Sequence, residues 1–553
     1  MATTAPTASG GTLAPLREPV FRRIWSASLL SNFGQMVLGV AAAWEMTRLT
    51  PSPGMVALVQ TAMMLPLMLV AVPAGAIADM FDRRRIAMAG LAFSTASAAL
   101  LTTLAWLGLT SPWVLLAFCS LIGAGVALYS PAWQASIGEQ VEPERLPAAI
   151  ALGTISHNVA RSFGPALGGL IVLAAGATAA FALNSVFYLP LLVAFFLWRR
   201  PHVPSRLPPE RIDRAIVSGA RYCFHAGAIR KVLVRAFLFG LAGATAGALA
   251  PLIARDLLGG SASTYGVLLG ASGVGAVGGA LLVAEFRARM GTENATRLMA
   301  VIGGLALVCV GLSRSLPLTC LALFIAGGAN ILTIALFNVS VQLAAPRWVT
   351  ARALSLFSAA LTGGIAIGAG LWGGVASLWS VEAAVVASGV ALLAMPLLGL
   401  VLPLPPDGEG GVEPVQIGNE PEVALALTMR SGPVVIEVDY RVDPDNARPF
   451  YDAMRRIQRA RLRNGGFEWS LSRDIADPGL WTERYLCPTW GDYLRMRDRF
   501  TSGDMEAQAL ADSLTVPGAA SQVRRRLERP FGSVRWKNDS PQATPGDFGF
   551  IAP

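Results

Sequence analysis

The feature that most constrains this chain is a series of apolar runs, each long enough to cross a lipid bilayer. A transmembrane helix needs about 20 apolar residues, and runs of about that length recur along the first 403 residues. We number them spans one to twelve: 24–47, 54–78, 86–108, 112–135, 149–174, 178–198, 232–254, 264–286, 296–313, 316–341, 352–376 and 381–403. The pattern predicts an all-α polytopic membrane protein with twelve transmembrane helices in contact with the lipid bilayer.

The distribution of positive charge supports this count and orients the chain. Cytoplasmic loops of membrane proteins carry an excess of Lys and Arg. With the N-terminus inside, the inside segments hold 20 such residues and the outside loops hold three. The sequence therefore predicts an even number of spans with both termini cytoplasmic. The abundance of Arg, Ala and Gly is typical of GC-rich bacterial genomes, so we expect a bacterial cytoplasmic (inner) membrane.

A long proline-containing loop divides the spans six and six, as in transporters built by duplication. The boundaries that we expect are a disordered cytoplasmic N-terminus at 1–20, an N-terminal six-helix half at 21–200, a cytoplasmic central loop at 201–230 and a C-terminal six-helix half at 231–403.

The last 150 residues have a different composition. Up to Pro403 the chain has 25 Lys and Arg against 13 Asp and Glu, and beyond it 19 against 22. After a linker at 404–430, the patterns predict strand 434–440, helix 444–464, strands 467–473 and 481–487, helices 490–500 and 504–514, and a last strand at 531–536. The order βαββαβ predicts a small α+β ferredoxin-like soluble domain at 431–537, and we expect a disordered tail at 538–553.

Composition and spacing also narrow the chemistry. The net charge of +9 lies largely in loops beside apolar helices, where it sets topology, so we expect no nucleic-acid partner. The five cysteines and three histidines are scattered without paired spacing, which argues against a metal site or a disulfide framework. The sequence has no Walker phosphate loop, so we expect no cofactor and no direct use of ATP.

The loop between spans two and three carries a recognisable motif. Residues 75–85 read Gly-Ala-Ile-Ala-Asp-Met-Phe-Asp-Arg-Arg-Arg, which resembles the cytoplasmic-loop signature of the major facilitator superfamily, G-x-L-A-D-R-x-G-R-R/K. The positions to which the resemblance gives a gating role are Gly75, Asp79, Arg83, Arg84 and Arg85, whereas Met80 and Asp82 depart from the pattern. The resemblance implies a latch that closes the cytoplasmic side. A pure topology signal would need the arginines but neither Gly75 nor Asp79.

Further segments narrow the resemblance. Residues 44–47, 49–60 and 73–79 are similar to the branch of that superfamily containing the bacterial enterobactin (siderophore) exporters, and the similarity extends over the first 400 residues. The C-terminal domain resembles dimeric α+β barrels related to antibiotic-biosynthesis monooxygenases. Together these likenesses imply the MFS fold, a small-molecule substrate, alternating access, proton coupling and a homodimer formed through the C-terminal domain.

Span five holds the sharpest candidate site. Asn158, Arg161, Pro165 and Gly168 share one helical face by their spacing. An arginine near mid-span costs a few kcal/mol unless it faces a partner or a wet cavity. Arg161 is therefore a candidate for holding an anionic substrate or for replacing a coupling proton, and the alternative is a structural arginine bonded to carbonyls. A packing motif that resembles the span-five motif of exporters comprises Gly164, Pro165, Gly168 and Gly169.

Other polar residues in the spans are weaker candidates. Asn32 and Gln35 share a face of span one, and Asn330 lies in span ten; each forms either an interhelical hydrogen bond or part of a polar cavity. Glu45, toward the outer end of span one, is the best candidate for protonation. Proton-driven exporters often carry an arginine where this chain has Cys119.

Three functions remain open at this point. The first is secondary active export of a siderophore, drug or secondary metabolite, and the second is uptake by the same fold, because nothing in the helices fixes direction. In the third, the C-terminal domain is a monooxygenase-like enzyme using Trp469, Arg473, Trp481 and Tyr485, although it has no histidine. We expect a transporter that is not an enzyme, with the C-terminal domain serving dimerisation or regulation.

Overall fold

The computed structural model describes residues 13–80, 82–142, 145–199, 220–346, 349–404, 415, 421, 423–518 and 521–528. The chain divides into two compact units, one of residues 1–216, 231–341 and 354–407 and the other of residues 217–230, 342–353 and 408–553. Most of the predicted central loop, most of the linker and the predicted tail lie outside the described residues. The expectation of a disordered 1–20 is wrong from residue 13 onward, because a 3₁₀ turn at Ala14–Arg17 leads into the first helix.

The first unit is built from helices. They are α1 (Pro19–Leu49), α2 (Pro53–Met80), α3 (Arg83–Trp106), α4 (Pro112–Ser136), α5 (Leu146–Leu197), α6 (Gly227–Gly243), α7 (Thr245–Ala248), α8 (Ala250–Leu252), α9 (Ala262–Leu312), α10 (Leu316–Ala344), α11 (Thr350–Leu378) and α12 (Val381–Val401). Local chemistry sets several starts: Ser111 and Ser380 cap α4 and α12 by accepting hydrogen bonds from backbone N–H groups, as N-cap residues do.

Two helices are broken at glycines rather than separated by loops. In α5 the break falls at Gly176, where φ is +79°, and in α9 at Gly291, where φ is +74°. Residues with a side chain rarely adopt such angles. The breaks fall between predicted spans five and six and between spans eight and nine.

Nine helices of the described residues are long and apolar enough to cross a membrane. Two of them, Ile155–Leu197 with 43 residues and Ala262–Leu312 with 51, each have the length of two crossings. The predicted membrane protein of long helices is confirmed, and the count of twelve stays a prediction.

Predicted span seven is not one continuous helix. It consists of α6, the short α7 and α8, and a π-helical turn at Ile253–Leu257. π-helical turns are rare and are often found at functional positions.

The C-terminal domain has a four-stranded antiparallel sheet with the order β2-β3-β1-β4. Its elements are β1 (Val434–Arg441), α13 (Ala447–Asn464), β2 (Phe467–Arg473), β3 (Leu480–Cys487), α14 (Trp490–Asp498), α15 (Ser502–Ser513) and β4 (Gln522–Leu527). This is the predicted βαββαβ order, and α14 and α15 correspond to the two helices predicted at 490–500 and 504–514. The last strand, however, is Gln522–Leu527, whereas the predicted strand at 531–536 lies outside the described residues.

The core of this domain follows from the alternation of β1. Val434, Ile436, Val438 and Tyr440 are buried and pack with Phe450 of α13. Since successive strand residues point to opposite faces, the intervening residues of β1 lie on the other face of the sheet.

Candidate functional site

The span-five glycines place this helix directly against two others. A Cβ on Gly164 would lie 2.6 Å from the Cβ of Met36, and one on Gly168 would lie 3.2 Å from the Cα of Val37, both on α1. A Cβ on Gly169 would lie 2.8 Å from the Cα of Gly266 on α9. Small residues allow such close approach of helices, so the first segment of α5 packs against both α1 and α9. Pro165 is buried on the same segment.

Arg161 lies one turn before Gly164 on this helix and is half-buried. Among the side chains that the structure describes, none forms a hydrogen bond or an ion pair with its guanidinium. His157, one turn earlier, is exposed and close enough for electrostatic interaction with Arg161. The side chain of Asn158 lies outside the described part of the chain. Ionisable residues inside membrane spans often mark substrate or ion pathways, and this role for Arg161 stays a prediction.

Asn32 forms a hydrogen bond between helices. Its side-chain Nδ2 donates to Ser156 Oγ of α5 at 3.1 Å, and Asn32 is buried. This is the interhelical alternative, and it joins α1 to α5 beside Arg161. Gln35 and Asn330 are half-buried.

Sequence reasoning missed a buried polar cluster between α1, α4 and the second segment of α5. Ser31 Oγ, both side-chain polar atoms of Asn184 and the Tyr188 hydroxyl have no hydrogen-bond partner among the described residues. Tyr129 faces Ser31 without completing a hydrogen bond of good geometry. The i, i+4 spacing of Asn184 and Tyr188 was the available signal.

Glu45 is paired rather than isolated. One of its carboxylate oxygens lies 3.2 Å from Arg48 Nη1, and 18 % of its side chain is exposed. The pair lies near the end of α1. Arg161 lies one turn before Gly164, which packs against Met36, so Glu45 does not lie beside Arg161.

The motif at 75–85 connects three helices at its described positions. Asp82 caps α3 by accepting from the backbone N–H groups of Arg84 and Arg85, which explains an aspartate where the superfamily pattern has glycine. Arg83 Nη1 lies 3.0 Å from Glu139 Oε1, and Arg85 is exposed.

Arg84 ties this loop to the end of α5. Its Nε donates to the Phe195 carbonyl at 2.8 Å and its Nη2 to the Phe196 carbonyl at 2.6 Å. Last-turn carbonyls have no partner within their own helix. Gly75 and Asp79 fall within α2, and their surroundings lie outside what the structure describes.

The C-terminal half contains a cluster of ion pairs and hydrogen bonds that the sequence did not predict. Glu293 lies next to the break at Gly291 and accepts from Arg235 Nη1 at 2.5 Å and from Arg297 Nε at 2.7 Å. It also accepts from the backbone N–H of Leu404 at 2.9 Å. Since Arg235 is only 2 % exposed, a buried ion pair fixes the end of the last span.

The two predicted halves touch at the helix ends for which the sequence predicts an outside position. The Arg255 guanidinium donates to the Thr47 carbonyl at 2.9 Å, and the rings of Trp44 and Tyr265 stack with centroids 6.3 Å apart. Deeper between the halves, the Thr61 hydroxyl donates to a backbone carbonyl of α11 at 2.7 Å. We call these contacts the outer seam, after the side that the charge pattern predicts for this end; they close the space between the helices there.

A network of buried polar side chains lies within the C-terminal domain. Fully buried Glu483 accepts from Arg461 Nε at 3.1 Å, Trp469 Nε1 at 2.9 Å and the Tyr440 hydroxyl at 3.2 Å. Burial, and then the Glu483 carboxylate, raise the pKa of Tyr440 above its usual value. The Arg461 guanidinium lies 5.1 Å from the centre of the Tyr485 ring. The polar side chains around Glu483 are therefore hydrogen-bonded to one another.

Nine long apolar helices in the described residues, two of them broken at a glycine, define a multi-pass membrane protein. Residues 10–531 match the sequence profile of the transmembrane secretion effector family, and the chain belongs to this family of the major facilitator superfamily. The resemblance drawn from its motifs is thereby confirmed.

Two of the relatives carry names that state a cargo or an efflux role. The enterobactin exporter EntS of Shigella boydii is 26 % identical over 397 residues, which is 70 % of this chain and 92 % of that protein. The multidrug efflux pump Tap of Mycobacterium tuberculosis is 28 % identical over 225 residues, 39 % of this chain and 53 % of that pump. The chain thus spans about half the length of that pump.

Solved structures agree on the fold. A bacterial homologue of the lysosomal transporter Spinster, in an inward-facing and unoccupied conformation, superimposes with a TM-score of 0.54 at 15 % identity, covering 70 % of this chain and 95 % of that one. The POT family transporter PepTSo gives 0.56 at 13 % identity, covering 70 % and 97 %. At such identities the likeness shows the fold alone.

Proposed function

We propose that this protein is a secondary active exporter of small anionic molecules, in the class of siderophores, drugs or secondary metabolites. The observation that carries the proposal is Arg161, a half-buried cation on α5 without a carboxylate partner among the described side chains. A guanidinium recognises carboxylates and other planar anions through paired hydrogen bonds. The export direction is supported by relatives that are themselves exporters and efflux pumps.

The cycle that we infer is alternating access between two halves of six spans, with both termini in the cytoplasm of a bacterial cell. The breaks at Gly176 and Gly291 raise the nine candidate helices to eleven crossings, because each divides a helix that is long enough for two. Helix α1, with 31 residues, would be the twelfth. Transport then consists of binding and of rocking the halves about the site, without a covalent step. The outer seam is one end of this motion, and the latch at Asp79 and Arg83–Arg85 acts at the other.

Export is tested by mass spectrometry of small molecules in cells and medium, with and without the protein, under iron limitation. An anionic metabolite retained inside cells that lack the protein establishes export and identifies the cargo. Accumulation that is instead higher in cells carrying the protein would show uptake, the alternative direction.

The Arg161 site is tested with Arg161→Gln and Arg161→Lys at matched membrane abundance. A charged hydrogen bond contributes about 1.5–3 kcal/mol, so Arg161→Gln should weaken cargo binding roughly 10- to 100-fold, with partial recovery in Arg161→Lys. Arg289→Gln is the matched control, since Arg289 is 75 % exposed and pairs only with Glu285 one turn away in the described chain. Normal efflux in Arg161→Gln would remove this residue from the mechanism.

Proton coupling and the latch are further parts of the proposal. If protons drive export, efflux will follow an imposed pH gradient across vesicles, and Glu45→Gln will abolish that dependence if Glu45 carries the proton.

Asp79→Asn should slow transport without changing membrane abundance.

The C-terminal domain is proposed to be a dimerisation or regulatory module rather than an enzyme. The Glu483 network uses the polar side chains of Trp469 and Tyr440 for internal bonds, and Arg473 lies over the Trp481 ring at 5.3 Å. A homodimer through this domain is tested by mass measurement of the detergent-solubilised protein. Oxygen consumption with quinol-like substrates would support the enzyme alternative.

A further inference from the structure

Residues 220–225 are helical and immediately precede α6; we call them the lead-in helix. The backbone N–H of Ala226 donates to the Tyr222 carbonyl at 2.8 Å, and that of Arg230 to the Ala226 carbonyl at 3.0 Å. These bonds follow the i to i−4 pattern of an α-helix. The lead-in helix is therefore followed directly by α6, with Ala226 as the single non-helical residue between them.

The lead-in helix belongs to the same compact unit as the C-terminal domain. The Arg463 guanidinium lies over the Tyr222 ring, 5.3 Å from its centre, and Arg221 Nη1 donates to the Gly465 carbonyl at 3.3 Å. Arg463 is itself held by Asp504 Oδ1 at 2.5 Å. A cation over an aromatic face contributes most when it is shielded from water, and Tyr222 is 1 % exposed.

The contact is buried on the lead-in side as well. Cys223 is fully buried, and burial raises its pKa to about 11 and that of Tyr222 to about 12. Both side chains are therefore uncharged at neutral pH. Because the thiolate is the reactive form of cysteine, Cys223 is protected from alkylation while the contact is intact.

We propose that the C-terminal domain docks on the lead-in helix through Arg463 and Gly465, and that docking favours the conformation in which the outer seam is closed. The docked contact and the closed seam occur together in this structure. A contact shifts a conformational equilibrium by the difference between its free energies in the two states. Docking thus gives the domain control over the C-terminal half through α6. This inference rests on the proposed alternating-access function.

Docking is tested in the full-length protein with Cys223 as its single cysteine, by measuring the rate of maleimide labelling. Arg463→Ala and Tyr222→Ala should each speed labelling about tenfold, and the double variant should be no faster than the faster single variant. Arg459→Ala is the matched control, since Arg459 is exposed on the same helix. Because Tyr222 lies outside the domain's own core, its substitution leaves that domain folded. Labelling of Arg463→Ala as slow as the control would overturn docking.

Control of the seam is tested separately with Thr61→Cys in a cysteine-free background and a membrane-impermeant maleimide added from outside. Adding Arg463→Ala should speed labelling at least threefold. If Cys223 becomes reactive while the Thr61→Cys rate is unchanged, docking stands and the control of transport is refuted. Neither measurement needs a cargo, so absence of efflux would count against the proposed function alone.

Discussion

Replacing Glu293 with alanine is expected to destabilise the C-terminal half more than replacing its partner Arg235. Without Glu293, the buried Arg235 guanidinium retains the Leu402 carbonyl at 3.3 Å as its described hydrogen-bond acceptor. Removing one member of a buried pair typically costs about 3–5 kcal/mol. In Arg235→Ala, by contrast, the 22 % exposed Glu293 keeps Arg297 and the Leu404 N–H, so the cost should be about 1–2 kcal/mol.

The assay is thermal unfolding of the purified protein in detergent, followed by intrinsic fluorescence. An unfolding entropy of about 2.1 cal/mol/K per residue over roughly 400 residues converts 1 kcal/mol into about 1.2 °C. Glu293→Ala should therefore lower the apparent Tm by about 4–6 °C and Arg235→Ala by about 1–2 °C. The double variant Arg235→Met with Glu293→Gln should recover most of the loss, because no buried charge is left alone. Equal shifts for the two single variants would refute the reasoning.

Three further results are expected. Gly169→Val should overpack against Gly266, which should lower the free energy of unfolding by about 1–3 kcal/mol and reduce transport. Gly374→Ala, with nothing within 4 Å of its added Cβ, should behave as wild type. Both variants are compared by efflux and by thermal unfolding. Arg84→Ala should cost about 1–3 kcal/mol, because the Phe196 carbonyl loses its described donor and the Phe195 carbonyl keeps only the Trp198 N–H at 3.3 Å; the cost is measured as a lower apparent Tm. Burial raises the pKa of Cys487 to about 12, so at pH 9 only about 0.1 % of this thiol is thiolate. Alkylation of Cys487 in the folded protein should therefore stay slow at pH 9. The contribution of Cys487 to the free energy of unfolding should fall as the pH rises from 9 toward 12.

The long apolar runs and the arginine bias were sufficient to predict a polytopic membrane protein, and the alternating residues of β1 were sufficient to predict a small α+β domain. Both are local, periodic signals. The breaks at Gly176 and Gly291 were expected as short loops, because sequence alone does not distinguish a turn of several residues from a single glycine with positive φ.

What the sequence did not reveal depends on contacts between distant residues. Arg235 and Glu293 are 58 positions apart, and no spacing rule connects them. Strand β4 was not predicted because three of its six residues are arginine. Arg524 pairs with Asp439 of β1, and Arg526 lies 3.2 Å from Glu437. Cross-strand charge pairs stabilise a strand of low intrinsic propensity. The sequence singled out Arg161 in span five, whereas the hydrogen bond between Asn32 and Ser156 is known only from the structure.

The composition of the outer seam has a consequence for how the protein responds to its surroundings. Thr61 contributes a neutral hydrogen bond to a backbone carbonyl, and Trp44 stacks on Tyr265. Arg255 donates to a neutral carbonyl in this seam. Separating such surfaces breaks no ion pair among these contacts, and dissolved ions screen mainly charge–charge interactions. The rate at which the outer seam opens should therefore be nearly independent of ionic strength.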